Sequence, residues 1–163
     1  MHRVQPWVTL IARLVLAGVF GYSGFHKITH PVDAVVAVEA YQLVPAGLVE
    51  VVAYGQPFLE LCLAVFLLAG FATRVASAGT GVLLVIFVAA VASAWARGLT
   101  IDCGCFSGGG MVGEDETHYL RVILRDIGLL ALAGWAILFP PGRFAVDSLL
   151  RHGLAGGPAE DTG

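Results

Sequence analysis

The sequence predicts an all-α fold: an integral membrane four-helix bundle with a short extracytoplasmic surface helix between the first two spans. Of its 163 residues, 58% are hydrophobic and only 13% are charged. The mean hydropathy of +0.84 is too high for a soluble domain of this length. Four apolar runs also recur along the chain, each close to the ~20 residues that a helix needs to cross a hydrocarbon core of ~30 Å.

The first span is expected over about residues 7–25. Within it Gly18, Gly21 and Gly24 recur every third residue, and Ala17 with Gly21 makes a small-xxx-small pair, so this helix should present a ridge that lets a neighbour approach closely. His26 and Lys27 end the run, and Pro31 opens a stretch in which valines alternate with Asp33 and Glu39, as in a helix lying at a membrane surface. Tyr41-Gln42-Leu43-Val44-Pro45 closes that helix. The second span follows over about residues 51–71, with Glu60 as its charge and Pro57 as an expected kink. A tight turn around Ala72-Thr73-Arg74 leads into the third span, about residues 75–96, which ends at an interfacial Trp95 and Arg97.

A polar segment, residues 98–118, comes next, and then the fourth span over about residues 119–139. Residues 1–142 thus form a four-span membrane domain, and residues 143–163 a polar C-terminal tail. A cleaved signal peptide is not expected, because Arg13 interrupts the first apolar stretch and no A-x-A site follows it. Four spans put both termini on one side. Arg3, Arg13, Arg74, Arg143 and Arg151 lie on or near that side, so the positive-inside rule predicts a multi-pass plasma-membrane protein with cytoplasmic termini and an extracytoplasmic 98–118 loop. A net charge of −3, without any basic run, excludes a nucleic-acid partner.

The chemistry concentrates in two places. Cys103-Gly104-Cys105 puts two thiols in the polar loop, on the side where disulfides persist; a bridge between them would close a very small, strained and therefore oxidising ring. One intervening residue is too tight for a structural zinc pair, whereas Cu(I) can be held by such thiolates. Beneath the loop, Glu60 in the second span and Arg125-Asp126 in the fourth fall roughly 8 to 12 Å from the outer surface, with Lys27 and His26 at the outer end of the first. Charges at bilayer depth cost about 2.5 to 3.5 kcal/mol each on insertion scales. This layer is therefore either an ion-paired lock between helices or a pocket that handles protons or faces a quinone. Cys62, within the second span, reads as inert packing, and Arg13 as an anchor that snorkels to the inner headgroups.

Several short pieces stand in a recurrent order: Arg13 with Gly18-Val19-Phe20, then Ser23-Gly24-Phe25-His26-Lys27, Tyr41-Gln42-Leu43-Val44-Pro45, and Pro57-Phe58-Leu59-Glu60-Leu61 leading to Gly70. Cys103-Gly104-Cys105-Phe106 and Leu124-Arg125-Asp126 complete the series. On these residues the chain resembles the DoxX-like superfamily, and within it the MauE-type methylamine-utilisation membrane proteins, over about residues 13–140. The resemblance implies a four-helix membrane bundle associated with redox proteins, with the maturation of disulfide-rich extracytoplasmic proteins, and with a thioredoxin-like or DsbA-like partner. It extends in general helix-bundle logic to the vitamin K epoxide reductases, which pass electrons from thiols to quinone, although this chain has no C-x-x-C within a span.

The leading expectation is extracytoplasmic thiol-disulfide exchange through Cys103 and Cys105 with a thioredoxin-fold partner, with Glu60, Arg125 and Asp126 as further site residues. A membrane scaffold subunit of a larger respiratory or transport complex, and copper handling by the same cysteine pair, are the alternatives.

Overall fold

Each backbone amide or carbonyl left unpaired in hydrocarbon costs several kcal/mol, so long apolar runs close their hydrogen bonds internally as helices. The computed structural model describes residues 5–102, 110–111 and 119–139. Among these are five α-helices: α1 (Gln5–Thr29), α2 (Pro31–Tyr41), α3 (Val49–Ala69), α4 (Thr73–Ala96) and α5 (Tyr119–Leu138). A 3₁₀ turn, Ala46–Leu48, leads into α3. The four expected spans and the surface helix are thus all present as helices, and α3 continues through Pro57. The turn before α4 lies slightly earlier than expected. Gly70 (φ 66) and Ala72 (φ 46) adopt the left-handed conformation that reverses the chain, and Thr73 and Arg74 already belong to α4.

The three helices Gln5–Thr29, Ala46–Ala69 and Thr73–Ala96 are long and apolar enough to cross a membrane. The fourth long helix, α5, has a similar length but carries Arg121, Arg125 and Asp126, so it stands apart in charge. In the bundle α1 packs along α3 and α4 along α5, and α1–α5 and α3–α4 contacts complete it. Leu16, Ala17 and Phe20 of α1 meet Leu63, Ala64 and Leu67 of α3, Leu84 of α4 and Leu129 of α5 in the main core. The outward face is equally apolar, with Ile11, Phe58, Val65, Val75 and Val82 exposed. Helices that are apolar all round suit lipid on the outside.

The α1–α3 contact depends on one glycine. A Cβ at Gly24 would lie 2.9 Å from the Pro57 carbonyl oxygen and 3.2 Å from the Glu60 Cβ, so only hydrogen fits there. Gly21 faces Ala64 at ordinary contact distance. Gly18 does not belong to the ridge: it is exposed and nothing lies within 4 Å of its position, because the 3.6-residue period turns it away from α3.

At the end of the bundle away from the polar loop, side chains from neighbouring helices satisfy helix-terminal carbonyls. Arg13 donates from Nε to the Leu67 carbonyl (2.9 Å) and from Nη2 to that of Leu68 (3.2 Å). It is 1% exposed and does not snorkel to the headgroups, because the C-terminal carbonyls of α3 lie within its reach. Likewise Thr9 reaches the Phe139 carbonyl (3.0 Å) and Arg74 that of Ile137 (3.2 Å), both at the end of α5.

At the opposite end, Ile101–Asp102 (β1) and Gly110–Met111 (β2) form a short antiparallel ladder that touches α2. Cys103 and Cys105 lie outside the described residues, as do the acidic run at residues 114–116, the 143–163 tail and the basic residues of both termini.

Gly24→Ala is expected to lower the stability of the purified protein by about 1 to 3 kcal/mol through overpacking against the backbone of α3. Gly18→Ala should leave it unchanged or raise it slightly. Unfolding monitored by circular dichroism in detergent would separate the two.

Candidate functional site

Lys27 stands near the C-terminal end of α1, and a helical Cα–Cβ bond tilts toward the helix N-terminus. The lysine side chain is therefore directed back into the bundle. Its Nζ reaches Glu60 Oε1 at 2.6 Å, with the carboxylate fully buried and the lysine 11% exposed. Gln56, one turn before Glu60 on α3, donates from Nε2 to the same oxygen at 2.9 Å. The ammonium also lies over the Phe87 ring of α4, 5.3 Å from its centroid. Side chains of α1, α3 and α4 thus meet around this ion pair.

A second pair sits on α5. Arg125 donates from Nε to Asp126 Oδ1 at 2.8 Å, and its Nη2 is equally close to that oxygen. Asp126 is buried while Arg125 is partly exposed. Glu60, Arg125 and Asp126 thus lie around one space. The described ion pairs are Lys27–Glu60 and Arg125–Asp126, and both carboxylates line one small cavity of about 20 Å³ together with Ser23 and Phe87. Glu60 Oε2 and Asp126 Oδ2 have no hydrogen-bond partner among the described residues. A volume of that size admits one water molecule, and the two carboxylates give it polar neighbours.

Above this layer is a larger cavity of about 200 Å³, roofed by Ala34, Ala37 and Tyr41 of α2. Lys27, Gln56 and Asp126 are its polar lining. Asp126 and Phe87 border both cavities, so they form the partition between them.

The hairpin closes this end of the bundle. Val91, Ala94, Ile101 and Tyr119 form a second buried cluster, against which Ala40 and Tyr41 of α2 pack. The Tyr119 hydroxyl donates to the Leu99 carbonyl and accepts the Ile101 amide (3.2 Å). Arg97 donates to the Tyr41 carbonyl, tying the end of α4 to the end of α2. Asp102 pairs with Gly110 across the ladder, so both residues flanking the 103–109 segment are held at this end of the bundle, beside α2.

The sequence profile of the family described as Methylamine utilisation protein MauE matches residues 5–139. The chain belongs to the MauE family. Over 131 residues it is 33% identical to the Methylamine utilization protein MauE of Paracoccus denitrificans, covering 80% of this chain and 68% of that protein. Over 138 residues it is 34% identical to the protein of the same name from Methylorubrum extorquens, covering 83% of this chain and 72% of the relative. No solved structure matches it. Family membership and three helices of spanning length make it a multi-pass membrane protein.

Of the residues singled out in the sequence, Lys27, Glu60, Arg125 and Asp126 line the two adjoining cavities, while His26 stacks on His30, ring centroids 4.6 Å apart. Cys62 is exposed on the outward face of α3, away from both cavities. Three contributors were not foreseen. Gln56 had a legible signal, being four residues from Glu60 and so on the same helix face. Phe87 and Tyr119 reach the site only through tertiary packing.

Tyr119→Phe removes the hydroxyl that holds Leu99 and Ile101. The Ile101 amide should then exchange with solvent deuterium at least several-fold faster, consistent with the loss of hydrogen bonds worth about 1 kcal/mol each. An unchanged rate would show that the ladder stands without the tyrosine.

Proposed function

We propose that this protein serves methylamine utilisation as the membrane partner in thiol-disulfide exchange, using Cys103 and Cys105 on the extracytoplasmic side. Its relatives are named for methylamine utilisation, which supports the process. The chemistry is supported by the loop: two thiols separated by one glycine, in a segment whose flanking residues are pinned beside α2, above the buried carboxylates. That anchoring is the observation that carries the reading. Asp102 and Gly110, the described residues on either side of that segment, pair with each other at this end of the bundle.

In the oxidising direction, a thiolate of a thioredoxin-fold or DsbA-like partner attacks one sulfur of the Cys103–Cys105 disulfide and the other sulfur leaves as thiolate. The second partner thiol then displaces the mixed disulfide. The partner departs with a disulfide, and Cys103 and Cys105 take its two electrons and two protons. Restoring the pair releases two electrons and two protons again, which calls for an acceptor of the quinone class and for groups that move protons. Glu60 and Asp126, with Lys27 and Arg125 balancing their charge, are suited to that second task. The positive-inside reading supports cytoplasmic termini, since Arg74 lies beside the C-terminal end of α5, opposite the Ile101–Met111 ladder.

Thiols trapped in native membranes with a mass-shifting maleimide test this reading. The Cys103/Cys105 pair should be protected until mild reductant is added, and then label from the extracytoplasmic side. Cys103→Ser with Cys105→Ser should abolish the reductant-dependent shift, leaving only any label on Cys62, and leave the partner's dithiol reduced. A pair that never changes redox state, labels only from the cytoplasm, or is dispensable for partner oxidation would overturn the proposal. The last outcome would favour a scaffold role, and copper lost on the double substitution would favour metal handling.

A further inference from the structure

The cavity of about 200 Å³ under α2 has walls of one chemical kind and a floor of another. Ala37, Val38, Val52, Ala90 and Val91 make the walls apolar, while Lys27, Gln56 and Asp126 come from three different helices to the same space. Asp126 is 1% exposed, and its Oδ2 has no hydrogen-bond partner among the described residues. Lys27 and Gln56 each direct one N–H at Glu60 and retain further donors. The floor therefore offers donors from one side and a buried acceptor from the other.

Size and access narrow the occupant. An apolar cavity of about 150 Å³ takes up benzene, so this one accommodates a single substituted six-membered ring but not a macrocycle or a phospholipid headgroup. Leu43 and Ile86 line the cavity and are also 50% and 55% exposed on the apolar exterior, which places its mouth toward lipid. Phe87 supplies an aromatic face inside. A lipid acyl chain would use the walls and none of the floor. A molecule that is a hydrogen-bond acceptor when oxidised and a donor when reduced would use both.

We propose that this cavity binds the ring of a membrane-dissolved quinone. A ring carbonyl accepts a hydrogen bond from Lys27 or Gln56, and the hydroxyl of the reduced form donates to Asp126. This deepens the exchange reading and rests on it for the acceptor class, while the site itself is built from helix residues alone. The Cys103→Ser, Cys105→Ser protein should bind as the unsubstituted protein does, so loss of exchange and loss of binding are separable.

The test is calorimetric titration of the full-length protein in lipid nanodiscs with a short-chain ubiquinone, against empty nanodiscs. Saturable binding is expected. Gln56→Leu should weaken it up to about tenfold, in line with one lost hydrogen bond. Ala90→Phe, which fills the cavity, should abolish it while the melting temperature shows that the bundle persists. If Ala90→Phe does not fold, Ala37→Leu on the peripheral α2 takes its place. The proposal fails if heats match those of empty nanodiscs, if a saturated hydrocarbon of equal length competes as well as the quinone, or if both cavity-filling variants bind normally.

Discussion

Glu60 is fully buried in the middle of a helix that packs against three others, and its carboxylate is held by the Lys27 ammonium 2.6 Å away and by the Gln56 amide. A lone carboxylate in such a place would be intolerable, so α1 must deliver its lysine to α3, and it must do so closely. Gly24 makes that approach possible: the same turn of α3 that presents Glu60 also presents the Pro57 carbonyl against which only a glycine fits. The ion pair and the glycine are two sides of one constraint on how the first helix sits on the third.

The two ends of the bundle then solve different problems. One end is closed by side chains that satisfy helix-terminal carbonyls: Arg13 on α3, and Thr9 and Arg74 on α5. The other end is covered by α2 and the hairpin. There α2 lies over a cavity floored by Lys27, Gln56 and Asp126, and Tyr119 and Arg97 secure the hairpin and the end of α2 beside it. The placement of charge follows this division, with buried acids under the hairpin and buried guanidinium at the far end.

The helices were legible in the sequence because apolar length against a fixed hydrocarbon thickness leaves few choices. The Pro31 start of the surface helix was legible too, since proline favours a first helical turn. Glu60, Arg125, Asp126 and Lys27 were legible as a layer because charges at depth require an explanation that distance from the helix ends nearly supplies. Their pairing was not. Nothing along the chain says that Lys27 faces α3 or that Arg125 turns to its own neighbour, since both depend on how the helices rotate about their axes. For the same reason spacing alone puts Gly18 in the packing ridge and Arg13 at the headgroups, whereas the structure exposes Gly18 and buries Arg13. The ladder at Ile101 and Met111 and the cavity under α2 exist only in three dimensions.

The central claim is that Lys27 and Glu60 act as a coupled pair that fixes α1 on α3 beneath the hairpin. A double-mutant cycle with Lys27→Met and Glu60→Met, read as unfolding free energy in bicelles, tests it most directly. Each single substitution should cost about 3 to 5 kcal/mol by leaving its partner buried and unpaired, and the double substitution should recover most of that loss. Losses that simply add, or single substitutions without effect, would contradict the account.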